Sequence, residues 1–448
     1  MLTLTSTSLG SKIAILGFWK EWQSSMRFLL SQNFTNITIL DKKEDIWTIP
    51  KNISSQLWDT YLDNIHDFDL IIKSPWVSPY AKEYNLVQNK FISQTQIFFE
   101  YYQWKVIGIT GTKWKSTVSS LLEKSLKNLN YKTKLVGNIW TPVLDEIDIN
   151  SVENYDYIIY EMSSYMLDWY NPPLHIWYIN NIYECHLDWH QDMINYSRAK
   201  ENILKNAKHT ITHKSISKWD ILFPSQDWFS YKDDSIYYKD EIFLECPEKI
   251  LIWEHNMLNI CWVLSLLQTI ISEIETLKDV VRDTLKVFSP LHHRLENIGT
   301  YKWITFIDDG AAVTPDATIW AINALGSSVE TLLIWWKDLQ TSHQELLEII
   351  SSSTIKNIVL FPDTGYKIFS PYNDEVWEEE VFEFSYNNTT LKSIKTKSME
   401  SAVKFCYTYT SPNKIVLLSS AAQSYSLWKS FEEKWMQYKK YINQYAAI

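Results

Sequence analysis

Short apolar runs alternate with helical patterns along most of this chain, and that alternation is the strongest constraint on its fold. Residues 12–17, 37–41 and 70–73 read as buried strands, with helical stretches between the first two. Residues 106–110 form another such run. Residues 116–129 follow it, with Val118, Leu121, Leu122, Leu126 and Leu129 on one helical face. Runs at 157–161 and 177–181 continue the series, and a last set lies at 305–308, 332–334, 358–361 and 415–418. Helices between such strands cover both faces of a sheet, so the expected class is α/β with mainly parallel sheets. Boundaries near residues 103 and 292 divide the chain into 1–103, 104–292 and 293–448.

Composition narrows the function classes. The 448 residues are 46% apolar and 21% charged, which excludes a disordered or collagen-like chain. A net charge of −11 argues against a general binder of nucleic acid or anionic membrane. Cys185, Cys246, Cys261 and Cys406 have neither metal-ligand nor disulfide spacing, as expected in a reducing cytoplasm. No apolar run reaches the roughly 18 residues needed to span a bilayer, and the N-terminus lacks a basic leader and cleavage site. Nearly all basic residues are Lys. Arg occurs only at Arg27, Arg198, Arg282 and Arg294, and with abundant Ile, Asn and Tyr this points to an AT-rich gene. Glycine is the anomaly. A chain of this length should carry about 31; this one has 9, and its 22 Trp match the shortfall.

The sharpest motif is Gly108-Ile-Thr-Gly-Thr-Lys-Trp-Lys-Ser-Thr117, between an expected strand and an expected helix. A helix start offers unpaired backbone N–H groups and the positive end of the helix dipole to phosphate. Lys115 would reach the β- and γ-phosphates, and the Ser116 hydroxyl would coordinate Mg²⁺. A strict phosphate loop has Gly just before that Lys, where this chain has Trp114.

These residues resemble the Mur ligases, ATP-dependent enzymes that add amino acids to the peptidoglycan precursor. Thr110-Gly-Thr-Lys-Trp-Lys-Ser-Thr117 is similar to their TGTxGKST loop. Further along, Gly137-Asn-Ile-Trp-Thr-Pro142, Tyr160-Glu-Met-Ser-Ser-Tyr165 and Asn181-Ile-Tyr-Glu-Cys-His-Leu-Asp188 match family motifs in order. So do Arg198-Ala-Lys200, Trp253-Glu-His-Asn-Met-Leu-Asn259 and His293-Arg294-Leu-Glu296 with Asp308-Asp309. Ser74-Pro-Trp-Val-Ser78, Leu332-Leu-Ile-Trp-Trp-Lys-Asp338 and the segment from Leu417 to Trp435 look most like the D-glutamate-adding type.

The resemblance implies a Rossmann-like N-terminal domain, a central P-loop ATPase domain and a Rossmann-like C-terminal domain. It implies D-glutamate addition to UDP-N-acetylmuramoyl-L-alanine through an acyl phosphate, with ATP and Mg²⁺, in a cytoplasmic monomer. Gly111, Thr112, Lys113, Trp114, Lys115, Ser116 and Thr117 would hold ATP phosphates, Asn256 and Asn259 the adenine, and Arg294 and Asp309 would close on the nucleotide. Lys115, Glu161, His186 and Lys200 would be the catalytic set. Ser116, Glu161, His186 and a carbamylated Lys200 would hold metal. Gly17, Trp19, Asp41, Ser74, Asn138, Ser163 and His190 would bind the UDP substrate, and Lys337, Ser424 and Phe431 the incoming amino acid. Read without the family, Asn256 and Asn259 could cap a helix, Asp308-Asp309 could be a turn pair, and Glu161, His186 and His190 could be solvated.

Where the resemblance calls for Gly and the chain lacks it, Trp usually stands: Trp19, Trp22, Trp76, Trp114, Trp140, Trp253, Trp335, Trp336 and Trp435. Glycine serves such positions because backbone approaches phosphate closely or takes positive φ. Each indole would cost about 1–3 kcal/mol. A codon read as glycine by the cell, but translated from the gene as tryptophan, produces this pattern. Trp189 and Trp428 fall where the family has other large residues. The departures at Ala311 and Leu339, in place of family lysines, and at Met166, in place of a Gln, bear on the added amino acid. A ligase for another amino acid, or a non-catalytic nucleotide-binding paralogue, are the alternatives.

Overall fold

In the computed structural model the described residues are all except 1–2, 18–19, 45, 47–48, 79, 103–104, 139–141, 147–154, 206–208, 214–221, 224–228, 234, 246–253, 289–290, 313–314, 335–342, 363, 368, 370–375, 421–427, 429–430 and 448. The chain divides into two compact units, Met1–Phe288 and Ser289–Ile448. The expected boundary near 103 falls inside the first unit, between two sheets.

The first sheet has five strands in the order Ser54–Leu57, Ile37–Asp41, Ile13–Leu16, Leu70–Lys73, Phe91–Ile92, all parallel. Ile13–Leu16 and Leu70–Lys73 are buried at every position, as strands covered on both faces must be. The order reverses between Ile13–Leu16 and Leu70–Lys73, and open α/β sheets bind ligands outside the carboxyl ends of the strands at such a point. The helix Gln94–Tyr101 closes the region, begun by a capping box between Ser93 and Gln96.

The second sheet of this unit has six parallel strands in the order Leu222–Phe223, His209–His213, Ile176–Ile179, Val106–Thr110, Tyr157–Glu161, Thr133–Gly137. Val106–Thr110 is central and wholly buried. It runs through a short loop into the helix Lys115–Asn128, one residue earlier than the sequence pattern places its start. Val118, Leu121, Leu122 and Leu126 face a core shared with the helices Glu254–Gln268 and Ile274–Val287. A small antiparallel sheet, Phe229–Lys232, Ser235–Tyr238 and Glu241–Glu245, was not apparent from periodicity.

The second unit is built on seven strands, in the order Glu296–Tyr301, Ile304–Asp309, Ile415–Ser419, Val329–Ile334, Asn357–Leu360, Thr389–Lys395, Val381–Tyr386. Its interior pairings are parallel, and each edge strand is the antiparallel arm of a hairpin. Both units are therefore α/β with mainly parallel sheets. Among the described residues no helix is long and apolar enough to cross a membrane. Cys185, Cys261 and Cys406 are free thiols, all buried.

Candidate functional site

The carboxyl end of the central strand Val106–Thr110 carries the loop 111–114, and side chains from the neighbouring strand hold that loop in shape. Asn181 Oδ1 accepts from the N–H groups of Thr112 (3.1 Å) and Lys113 (2.8 Å), and Asn180 Nδ2 donates to the Lys113 carbonyl (2.8 Å). The Lys115 ammonium arches back over the loop, donating to the carbonyls of Gly111 (3.0 Å) and Thr112 (3.2 Å). Ser116 follows in the first helical turn, partly buried, and Thr117 is buried. Trp114 occupies the residue before the helix with φ 62° and ψ 6°, and its side chain makes no capping bond. Its ring lies 6.0 Å from that of Trp262.

A cluster of titratable groups lies beside this loop. Glu161, at the end of Tyr157–Glu161, is fully buried. It accepts from Asn138 Nδ2 (2.9 Å) and Ser119 Oγ (3.4 Å). Gly137 makes the approach possible: its φ is +103°, and a Cβ there would stand 2.2 Å from the Glu161 carbonyl oxygen. Lys200, in the helix Met193–Glu201, is only 2% exposed and donates to the Gly111 carbonyl at 2.8 Å, beneath the Tyr196 ring. Burial, with Lys115 adding repulsion, drives its amine well below the ordinary value of 10.5. His186 has left-handed backbone, and burial with the charges of Lys200 and Lys115 pushes its imidazole down to about 3. It is neutral at physiological pH. Burial pushes the Cys185 thiol up to about 11, so it is protonated.

This donor set suits a divalent cation among phosphates: a buried carboxylate, a hydroxyl at a helix start and a neutral imidazole. Lys200 fits only after its ammonium becomes an anion. Its burial next to a second lysine favours loss of the proton that such a change requires.

In the first sheet, Gly17, Asp41 and Ser74 stand at three adjacent strand ends. Gly17 has φ +97°, and a Cβ there would meet Val77 Cγ2 at 2.8 Å and Ser74 Cβ at 3.0 Å. Asp41 accepts from the Lys43 N–H at 2.8 Å. Lys73 is also buried there, held by the carbonyls of Ser74 and Val77, with burial pushing it down to about 8. Ser163 caps the helix Ser164–Leu167. His190 has no exposed surface: Nε2 lies 2.9 Å from Ser164 Oγ and its ring stacks on Tyr165. Asn256 and Asn259 lie one turn apart on Glu254–Gln268, linked at 3.3 Å.

The second unit holds a separate set. Asp309 ends the strand Ile304–Asp309, and Ser419 Oγ donates to it at 3.0 Å. Burial pushes its carboxyl up to about 7 against the pull of Ser419 and Arg294. Next to it, His293 Nδ1 pairs with Asp308 at 2.7 Å, while Glu296 binds Lys439 at 3.0 Å. His293, Glu296 and Asp308 bring ligand-type atoms within 4.8 Å of one another, and their hydrogen bonds brace the turn carrying Arg294. Phe431 begins the helix Phe431–Ala447. Trp19, Trp140, Trp253, Trp335, Trp336, Lys337 and Ser424 lie outside the described residues.

Sequence reasoning assigned no role to Asn180, Asn181, Tyr196, Ser119 or Lys73. The available signal was a pair of Asn at the end of an apolar run, where a buried amide must find backbone partners.

Residues 109–216 match the Mur ligase middle domain. Over 97% of both chains, this protein is 26% identical to the UDP-N-acetylmuramoylalanine–D-glutamate ligase of Acetivibrio thermocellus. It is 27% identical to the enzyme of that name from Staphylococcus haemolyticus, over 96% of both chains. Among solved structures, it is similar in fold to the UDP-N-acetylmuramate-alanine ligase MurC of Thermotoga maritima, with TM-score 0.56, 15% identity and coverage of 98% of this chain and 99% of that one. The MurF ligase of the same organism, in complex with ADP, gives TM-score 0.56 at 14% identity with the same coverage. The loop and the buried cluster beside it lie within the residues that match the Mur ligase middle domain, and relatives named as ligases of that kind align along nearly the whole chain.

Proposed function

We propose that this chain is an ATP-dependent ligase that joins D-glutamate to UDP-N-acetylmuramoyl-L-alanine, forming ADP, phosphate and an amide. The observation that carries this reading is the convergence of the loop 111–114, Lys115, Glu161, His186 and Lys200 at the carboxyl ends of adjacent strands. Residues 1–103 hold the uridine nucleotide, 104–292 hold ATP and 293–448 receive the amino acid. Such substrates place the enzyme in the cytoplasm.

A carboxylate is a poor electrophile, and phosphoryl transfer from ATP converts it to an acyl phosphate with a good leaving group. The amine of the incoming amino acid then attacks the acyl carbon, and phosphate departs. The protein supplies positioning and charge neutralisation in place of a nucleophile. Loop amides and Lys115, already poised over the loop, hold the β- and γ-phosphates. Asn180 and Asn181 hold the loop in shape. Asn256 and Asn259 lie on one helix face as an adenine-reading pair. Lys200, whose burial favours the uncharged amine, loses a proton on reaction with carbon dioxide and becomes a carbamate. Ser116, Glu161, His186 and carbamylated Lys200 would hold Mg²⁺, which when bound offsets phosphate charge.

The test is ADP release with UDP-N-acetylmuramoyl-L-alanine and a panel of amino acids, with the amide product identified by mass. Release that requires D-glutamate supports the reading. Release with a different amino acid favours a family member of other specificity, a reading that Ala311 and Leu339 motivate. No amide from a protein carrying Gly at position 114 favours a non-catalytic nucleotide binder.

A further inference from the structure

Among the described residues, three tryptophans have left-handed backbone: Trp58 (φ 58°), Trp114 (φ 62°) and Trp303 (φ 65°). A bulky side chain in this region is a genuine outlier, because its Cβ crowds the following carbonyl. Bulk in general does not account for it. The chain has 18 Phe and 27 Tyr, and among the described residues none of them takes positive φ.

Each of the three occupies a place where glycine is the natural residue. Lys302 and Trp303 form the two-residue turn of the hairpin joining Glu296–Tyr301 to Ile304–Asp309, with Tyr301 paired to Ile304. Both turn residues have positive φ, at 49° and 65°. That is the mark of a type I′ turn, whose second position strongly favours Gly. Trp303 is 73% exposed, so its indole contributes little packing in return. Trp58 turns the chain from Ser54–Leu57 into a short 3₁₀ segment and is 55% exposed. Trp114 stands immediately before the 14-residue helix Lys115–Asn128, at the residue that must let the chain fold tightly around the helix start.

Two other tryptophans behave differently. Trp189 and Trp428 are 8% and 6% exposed and have no positive φ. Each satisfies its indole N–H, Trp189 on the Trp76 carbonyl at 3.2 Å and Trp428 on Gln437 Oε1 at 3.1 Å. Buried tryptophans with a bonded N–H are the ordinary case.

We propose that the tryptophans of this chain are of two kinds: positions 58, 114 and 303 carry glycine in the working protein, whereas Trp189 and Trp428 are tryptophan. Backbone geometry and indole bonding distinguish the two kinds, independently of the ligase reading. It extends the glycine-for-tryptophan pattern to positions 58 and 303, which no motif singles out. The shared cause is a codon that the source organism reads as glycine. At position 114 the consequence is functional: without an indole, the backbone before Lys115 is open to an anion.

Peptide mass spectrometry of the protein made by its source organism tests this directly. Glycine at 58, 114 and 303, with tryptophan at 189 and 428, is the expected result. Tryptophan at any of the first three, or glycine at either of the last two, overturns it. A second measurement uses recombinant protein made with the sequence as written. Trp58→Gly and Trp303→Gly should each raise the thermal midpoint by about 2–4 °C. A lowered midpoint in either variant overturns the proposal for that position.

Discussion

Positions 114 and 303 share one backbone conformation and differ in everything around it. Trp303 sits at an exposed hairpin tip, and the turn there serves only to reverse the chain. Trp114 sits between a buried central strand and the helix that faces the candidate phosphate site, in a loop pinned by Asn180 and Asn181. The same steric misfit therefore has a purely structural effect at 303, while at 114 it stands at the candidate phosphate site. Local geometry reveals the misfit, but only the surroundings say what depends on it.

The largest expected effect probes the functional side. Lys115→Ala should cut ADP release by about 10²–10³-fold, as removal of a single charge-stabilising donor does elsewhere, with little change in thermal midpoint. Loss of fold together with activity would make Lys115 a structural residue and weaken the contrast. Next, Trp114→Gly should tighten ATP binding by about tenfold or more, equivalent to about 1.4 kcal/mol, measured by titration calorimetry. Trp303→Gly in the same assay should leave ATP affinity unchanged. Equal effects at the two positions would break the comparison.

A pH experiment separates the two ends of the hairpin strand that starts after Trp303. Its far end is Asp309, whose carboxyl is raised from 3.8 to about 7, chiefly by burial. Between those values the folded state keeps a proton that the unfolded chain has lost. The stabilisation from Asp309 is thus complete below about pH 4 and declines as pH rises toward 7. Asp309→Asn should flatten that decline relative to the unsubstituted protein, in midpoints measured across the range. An unchanged slope would mean that Asp309 is ionised when folded. The smallest effect is at the turn. Trp303→Gly should stabilise by about 1 kcal/mol at all these pH values, with no change in the pH slope.

Much of the fold was legible because its signal is local. Ile37–Asp41, Leu70–Lys73, Val106–Thr110 and Tyr157–Glu161 are apolar runs, and the sequence pattern matches their observed bounds. The small antiparallel sheet at Phe229–Glu245 was not legible. Its strands are short, and much of their surface is polar or half-exposed. In the candidate site, Lys115 and Ser116 were readable from a motif between strand and helix. The burial of His190 was harder to read, because its stacking on Tyr165 and its bond to Ser164 depend on packing between separate elements.

By itself the sequence determined the α/β order, the phosphate-loop position and the family motifs, since periodicity and short spacing depend on residues near one another in the chain. It also exposed the glycine deficit. Only the tertiary structure decided that Lys200 is buried against the Gly111 carbonyl, that Asn180 and Asn181 shape the loop, and that Trp58 and Trp303 share the left-handed backbone of Trp114. Burial and bonding of these groups are set by residues far apart in sequence. The φ of a turn is set by the strands and helices it must join, so neither can be read from local pattern.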